Sequence, residues 1–412
     1  MIKKSVLLLF LVIFTSCKPG SSEKEPVMFL HYFTGNLSQG INELSKEVNK
    51  KAKNINIIAT PLEHEEFKTD LRLQLDGQNA PDLFSYWAGA RTQYLVDNDK
   101  VAPISPLFDN QIDPTYFDES VLNACSYNGE IFLLPLTRHF IGFFYNKEIF
   151  RQYHIEIPEN WEELVSAAQL LQESGVIPFT LGSKNRWPAQ FWFDYILLRT
   201  AGFDYRLDLM KKHARYTDLE VLKTMDFWKE LIEKQYFNVG NRNLTWDSAI
   251  DLLIEGQAAM SLMGTWAIPY LEQKGFNQKN DYGFFQFPEI NSEIENVALG
   301  PIDGILLSKK STHVENSYKI LSILAQSDIQ KAFNIQSGAI APHIGIRDSA
   351  YSSIQQEIKG IIEKIPYWAF NYDLATEPFV SEAGLDFFVE FLENPENYEF
   401  ELQNLQEKIN QQ

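Results

Sequence analysis

The chain has 412 residues, 45% of them hydrophobic and 14% aromatic, enough for a large core and for two domains rather than one. Its 55 acidic residues against 36 basic ones give a net charge of −19, which excludes the basic face that nucleic-acid binding requires. Apolar residues spread along the whole chain exclude a disordered protein.

The first segment reads as an address. Lys3 and Lys4 precede the apolar run Val6 to Phe14, and small residues follow it, the pattern of a secretory signal peptide. The run is too short to span a bilayer, which takes about 20 residues. Phe14-Thr15-Ser16-Cys17 resembles a bacterial lipobox, which implies lipidation at Cys17 after removal of residues 1–16. Residues 17–26 are polar and read as a tether. Cys125 is then the one cysteine of the body, so no internal disulfide is expected, and it reads as a small buried hydrophobe.

Val27 to Phe33 reads as a strand, followed by a helix with Ile41, Leu44 and Val48 on one face. Ile55 to Thr60 reads as a second strand, Phe67, Leu71 and Leu75 mark a helix ending near Gly77, and Pro81 to Ser85 reads as a third strand. This alternation predicts an α/β unit with a parallel sheet. Ile131 to Leu136 and Phe140 to Tyr145 are further strands. Asn160, with Glu163 three residues on, opens a helix as its N-cap, and Val176 to Leu181 is the next strand. A helix through Ile250 and Leu253 leads into the strand Ala258 to Met263. Gly304 to Ser308 is followed by helices through Leu321 and from Ser327, interrupted at Gly338, and the C-terminal stretch from Leu385 is helical.

Catalytic signatures are missing from the sequence. His64-Glu65 opens like a zinc-peptidase helix, but the position four after His64 is Lys68. No nucleophile elbow, Walker loop, dinucleotide fingerprint or metal-ligand spacing occurs, so neither enzyme activity nor a cofactor is expected. What stands out is the aromatic placement. Tyr86-Trp87 follows a strand, Trp187 and Trp192 flank the start of a helix, Trp266 stands at a strand end, and Trp368 lies in a loop-like stretch. Ligands of open α/β sheets bind beyond the carboxyl ends of strands, where such rings offer flat faces to a sugar. Core packing is the alternative for each of them.

Asn128-Gly129-Glu130-Ile131-Phe132-Leu133-Leu134-Pro135, followed by Phe144-Tyr145-Asn146-Lys147-Glu148-Ile149-Phe150, resembles a signature of the family 1 extracellular solute-binding proteins of ABC importers, the maltose-binding type. Pro158 to Leu164, Glu255 to Met260 and Gly264-Thr265-Trp266 are similar to further motifs of that family, in the same order. The resemblance implies a two-lobed, hinge-linked α/β fold of the type II periplasmic-binding-protein class, each lobe with a central mixed sheet flanked by helices. It places 27–137 and 301–337 in one lobe, 142–299 and 342–412 in the other, and crossings near 138–141, 300 and 338–341, with Gly300 and Gly338 as hinge points. It implies a cleft lined by Thr34, Gly35, Tyr86, Trp87, Arg138, His139, Trp187, Gln190, Trp192, Trp266, Asp303, Trp368 and Tyr372. The implied function is capture of a carbohydrate and delivery to membrane permease subunits by a lipid-anchored monomer. A ligand-sensing receptor of the same fold, or a binder of another solute, is the alternative. His139 stands where some relatives carry a carboxylate, and Leu134 replaces a usual glycine, so the specificity of relatives does not transfer.

Overall fold

The computed structural model describes residues 24–411. The signal segment, Cys17 and most of the expected tether lie outside these residues. The tether's last three residues do not, and two of them belong to the fold: the first strand is Glu25–His31, and Glu25 and Pro26 already pair with Ile55 and Asn56.

A six-stranded sheet holds the first half of the chain together. Glu25–His31 lies parallel to Ile55–Pro61 on one side and to Leu83–Trp87 on the other. The helices Ser38–Lys51 and His64–Asp76 connect them, burying Ile41, Leu44 and Val48 from one and Phe67, Leu71 and Leu75 from the other. This is the strand–helix alternation expected from the periodicity. The sheet is completed from far along the sequence. Ile302–Ser308, buried at all seven positions, inserts antiparallel beside Leu83–Trp87, and Leu133–Arg138 and Val101–Ala102 pair with it in turn. A register shift between Asp303 and Gly304 bends the ladder at its cavity end.

The second sheet has four strands in the order Tyr282–Phe285, Ile141–Asn146, Ala258–Gly264 and Ile177–Thr180. Its core is aromatic, with Phe143 stacked on Phe285 and Phe287. The helix Trp161–Glu173 packs Leu164, Ala168 and Leu171 into it. Asn160 caps that helix as expected, accepting from Glu163 N at 3.0 Å, while the Glu163 side chain reaches Glu159 N rather than the N-cap amide.

The buried apolar residues form two separate clusters, one around each sheet. Cys125 is fully buried in the first, where burial pushes its thiol pKa up. Three chain passages run side by side between the clusters. Arg138 and Ile340 exchange backbone hydrogen bonds at 2.9 and 3.0 Å, and His139 N donates to Pro301 O at 3.1 Å. Gly300 is required there by close approach rather than by backbone freedom, since a Cβ on it would stand 1.8 Å from His139 O. Gly338, at φ +73°, ends the helix Ser327–Ser337 in a left-handed turn.

Candidate functional site

Between the two clusters lies a cavity of about 520 Å³. The first cluster's wall starts at the carboxyl ends of its parallel strands. Tyr32 and Phe33 follow the strand Glu25–His31, Glu63 and His64 follow Ile55–Pro61, and Trp87 closes Leu83–Trp87. The second cluster contributes Trp187, Gln190, Trp246, Trp266 and Tyr270. The rings interlock across the gap. Tyr32 stacks on Trp87 with centroids 4.3 Å apart and planes 19° apart. His64 stands edge-on to Trp87 at 5.2 Å and reaches Trp187 at 6.1 Å, and Trp187 meets Trp266 at 5.8 Å.

Of the expected site residues, the structure brings Thr34, Gly35, Trp87, His139, Trp187, Gln190, Trp266 and Asp303 together around this cavity. Five others are elsewhere. Tyr86 precedes Trp87 on the strand, and adjacent side chains on a strand point to opposite faces, so only one of the pair reaches the cavity. Trp192 is two residues beyond Gln190 in the buried helix Gln190–Thr200. Two steps turn a helix by about 200°, and its ring sits in the core against Phe143, Phe179 and Phe237. Tyr372 is wholly buried, its hydroxyl 2.8 Å from that of Tyr216. Arg138 and Trp368 pack on each other behind the crossings, with the guanidinium 5.3 Å from the ring centroid and the indole N–H donating to Gly300 O at 2.9 Å.

Asp303 is held at both oxygens. Tyr32 OH donates to Oδ1 at 2.6 Å and Thr137 Oγ1 to Oδ2 at 2.5 Å. Burial raises its carboxyl pKa to about 6 in spite of these bonds. His139 shares Thr265 Oγ1 through Nδ1 at 2.9 Å, and burial lowers it to about 3. Its Nε2 lies 3.7 Å from Asp303 Oδ2, and at neutral pH this is a neutral imidazole beside a carboxyl rather than an ion pair.

Residues that the sequence reading missed include Tyr32, His64, Glu65, Asn371 and Asp373. The first two follow parallel strands and were accessible to the same strand-end rule that found Trp87. Asp373 had no local signal. Its backbone is clamped from both sides, with Gln190 Oε1 accepting from its N–H at 2.8 Å and Arg91 Nε donating to its carbonyl at 2.7 Å. Lys68 Nζ lies 3.5 Å from its carboxylate and 3.1 Å from that of Glu65. Among the described residues no group of His, Cys, Asp and Glu could hold a metal ion, and no helix is long and apolar enough to cross a membrane.

Residues 34–331 match the family profile of the bacterial extracellular solute-binding proteins. The chain is 28% identical over 349 residues, 83% of its length and 77% of the relative's, to the uncharacterized ABC transporter extracellular-binding protein PH1214 of Pyrococcus horikoshii. It is 23% identical over 246 residues to the multiple sugar-binding protein of Streptococcus mutans, covering 57% of this chain and 56% of that one. Among solved structures, the bacterial solute receptor AcbH, described as having an exclusive preference for β-D-galactopyranose, superposes with a TM-score of 0.87 at 24% identity, covering 94% of this chain and 99% of that one. This last likeness shows a shared fold.

Proposed function

Since the chain belongs to the bacterial extracellular solute-binding protein family, we propose that it captures a carbohydrate in the cavity between its two cores and hands it to the membrane permease subunits of an ABC importer. The observation that carries this reading is the cavity itself: about 520 Å³, walled by Trp87, Trp187 and Trp266 and rich in hydrogen-bond acceptors. That size falls within the roughly 300–1,000 Å³ of small-ligand sites. Flat indole faces suit the C–H face of a sugar, and buried carboxyl and carboxamide groups suit its hydroxyls.

In this reading Trp87, Trp187 and Trp266 stack on the ligand, while His139, Gln190 and Asp303 bond its hydroxyls, with Thr34 and Gly35 at the rim. Residues 27–137 with 301–337 form one lobe and 142–299 with 342–412 the other, and the passages near 138–141, 300 and 338–341 act as the hinge. The ligand touches both lobes at once only when they are shut, so binding favours closure. The protein releases its ligand chemically unchanged. It works as a monomer outside the cytoplasm, tethered by lipid on Cys17.

A thermal-shift screen of the full chain against mono- and oligosaccharides tests the reading. A true ligand at 100 times its dissociation constant adds about 2.7 kcal/mol to stability. A broad panel that leaves the transition unmoved would reject carbohydrate as the ligand class. Small-angle scattering with the hit should show a smaller radius of gyration than without it.

A further inference from the structure

Trp187 enters the cavity wall from an unusual turn. Among the described residues, six other than glycine have positive φ. Four of them, Asp99, His154, Lys212 and Gln235, lie just past helix C-termini, where left-handed backbone is ordinary. Asn128 stands in the Asn128-Gly129 turn between the paired strands Ser126–Tyr127 and Glu130–Ile131. The sixth is Arg186, at φ 63° and ψ −47°, directly before Trp187. Trp187 N donates across it to Asn185 O at 2.7 Å, which closes a three-residue γ-turn of the rare, strained kind.

The chain on either side holds the turn in place. Upstream, Ser183 N and Lys184 N donate to Asn241 O and Leu244 O at 2.9 and 3.0 Å, and a Cβ on Gly182 would stand 2.2 Å from Thr245 O. Downstream, Pro188 and Ala189 are buried and lead into the buried helix Gln190–Thr200. The Arg186 side chain is fastened from behind. Its Nη1 donates to Asp386 Oδ1 at 2.6 Å and its Nη2 to Glu382 Oε2 at 2.7 Å, both on the helix Pro378–Glu393. Buried Arg91 also reaches Glu382, at 3.4 Å, so these pairs form a network. A lone exposed ion pair holds little, whereas a guanidinium shared by two carboxylates is fixed in direction as well. Strained backbone persists only where its surroundings impose it, and it gathers at binding sites.

We infer that Arg186 is a positioning residue: its guanidinium, held by Glu382 and Asp386, keeps the γ-turn that sets the Trp187 ring in the cavity wall. Phe191, Trp266 and His64 meet that ring at 5.7, 5.8 and 6.1 Å, all tilted or edge-on, so the turn supplies the orientation that face-to-face stacking does not. What the ring meets rests on the carbohydrate reading above. The inference goes beyond that reading by assigning a role to a residue outside the cavity lining.

Two readouts test it, one of them independent of any ligand. In the ligand-free full chain labelled with 5-fluorotryptophan, the Trp187 resonance, assigned with Trp187→Phe, should shift or broaden in Arg186→Met. The signals of the buried Trp192 and Trp228 should stay in place. Asp386→Asn, which leaves Arg186 itself intact, should move the same resonance, and it carries both readouts if Arg186→Met prevents folding. For binding, the probe is the tightest binder among galactose, glucose, xylose, maltose and raffinose in calorimetry. Arg186→Met is expected to lose about tenfold in affinity. In a Trp187→Ala background that loss should shrink to within about twofold, because a residue acting through another is not additive with it. Arg186→Gly should lose less than Arg186→Met, since glycine takes positive φ freely. A Trp187 resonance unmoved in both clamp variants, equal losses with and without the Trp187 ring, or a larger loss with glycine than with methionine would overturn the proposal. A wild-type chain that binds no member of the panel would overturn the carbohydrate reading alone, and the fluorine spectra would still decide the role of Arg186.

Discussion

The hydroxyl of Tyr32 donates to Asp303 Oδ1 at 2.6 Å, joining two residues 271 positions apart. Tyr32 follows the first parallel strand, and Asp303 is the second residue of the strand Ile302–Ser308 that inserts late beside Trp87. Their bond fixes the floor of the cavity, and His139 approaches the same carboxyl from the chain passage beside it.

Asp303 and His139 should give the acid limb of stability opposite slopes. Burial raises the Asp303 carboxyl to about 6, against about 3.9 in an unfolded chain. The folded state therefore holds the extra proton between those values. Its contribution is fully present below about pH 4 and is lost as pH rises through 6. His139 is lowered to about 3, against about 6.5 unfolded, so its contribution is present above pH 6.5 and lost as pH falls toward 3. Melting curves between pH 4 and 7 should fall more steeply on acidification in Asp303→Asn and less steeply in His139→Gln. Slopes change by on the order of 1 kcal/mol per pH unit. Parallel curves for all three proteins would contradict the assignment.

Trp266 and Trp192 should respond differently to truncation. Trp266 is part of the cavity wall, whereas Trp192 is packed in the core among Phe143, Phe179 and Phe237. Trp266→Ala is expected to weaken sugar binding about tenfold or more with a stability loss of about 1–2 kcal/mol. Trp192→Ala is expected to destabilise by about 3–5 kcal/mol. Calorimetric titration beside urea unfolding separates the two, and equal effects on affinity would show that Trp266 does not touch the ligand.

Lys68 is expected to be indispensable to the cavity's acidic floor. It is almost fully buried and reaches both Glu65 and Asp373. Lys68→Met would leave two carboxylates facing each other without their cation, destabilising by about 3 kcal/mol. Chemical denaturation measures this, and a neutral outcome would mean that neither carboxylate depends on it.

Gly300→Ala places a methyl group 1.8 Å from His139 O, against backbone that cannot yield as a side chain would, with the Trp368 ring 3.2 Å away. A loss of about 3 kcal/mol or more is expected, read as a lowered melting temperature. An unaltered melting temperature would mean that the passages are loosely packed.

How much of this was legible before the fold was known follows from the range of each signal. Hydrophobic spacing marked the helix of Ile41, Leu44 and Val48 and the parallel strands around it, and Asn160 announced a helix start, because these are decided within a few residues. The strand-end rule found Trp87 and, applied evenly, would have found Tyr32 and His64.

The sequence by itself therefore determined the α/β alternation, the aromatic character expected of the site, and a kinship strong enough to imply two lobes. Tertiary structure alone decided which face each ring takes. Tyr86 and Trp87 differ by one step on a strand, and Gln190 and Trp192 by two on a helix, and only the packing of distant elements fixes the phase. It also decided that Asp194 and Gln190 would serve the first amides of the helix after Asn371, leaving Asn371 Oδ1 without a partner among the described residues. Nothing within the local sequence announces such a release, because the bonds that cause it come from about 180 residues away.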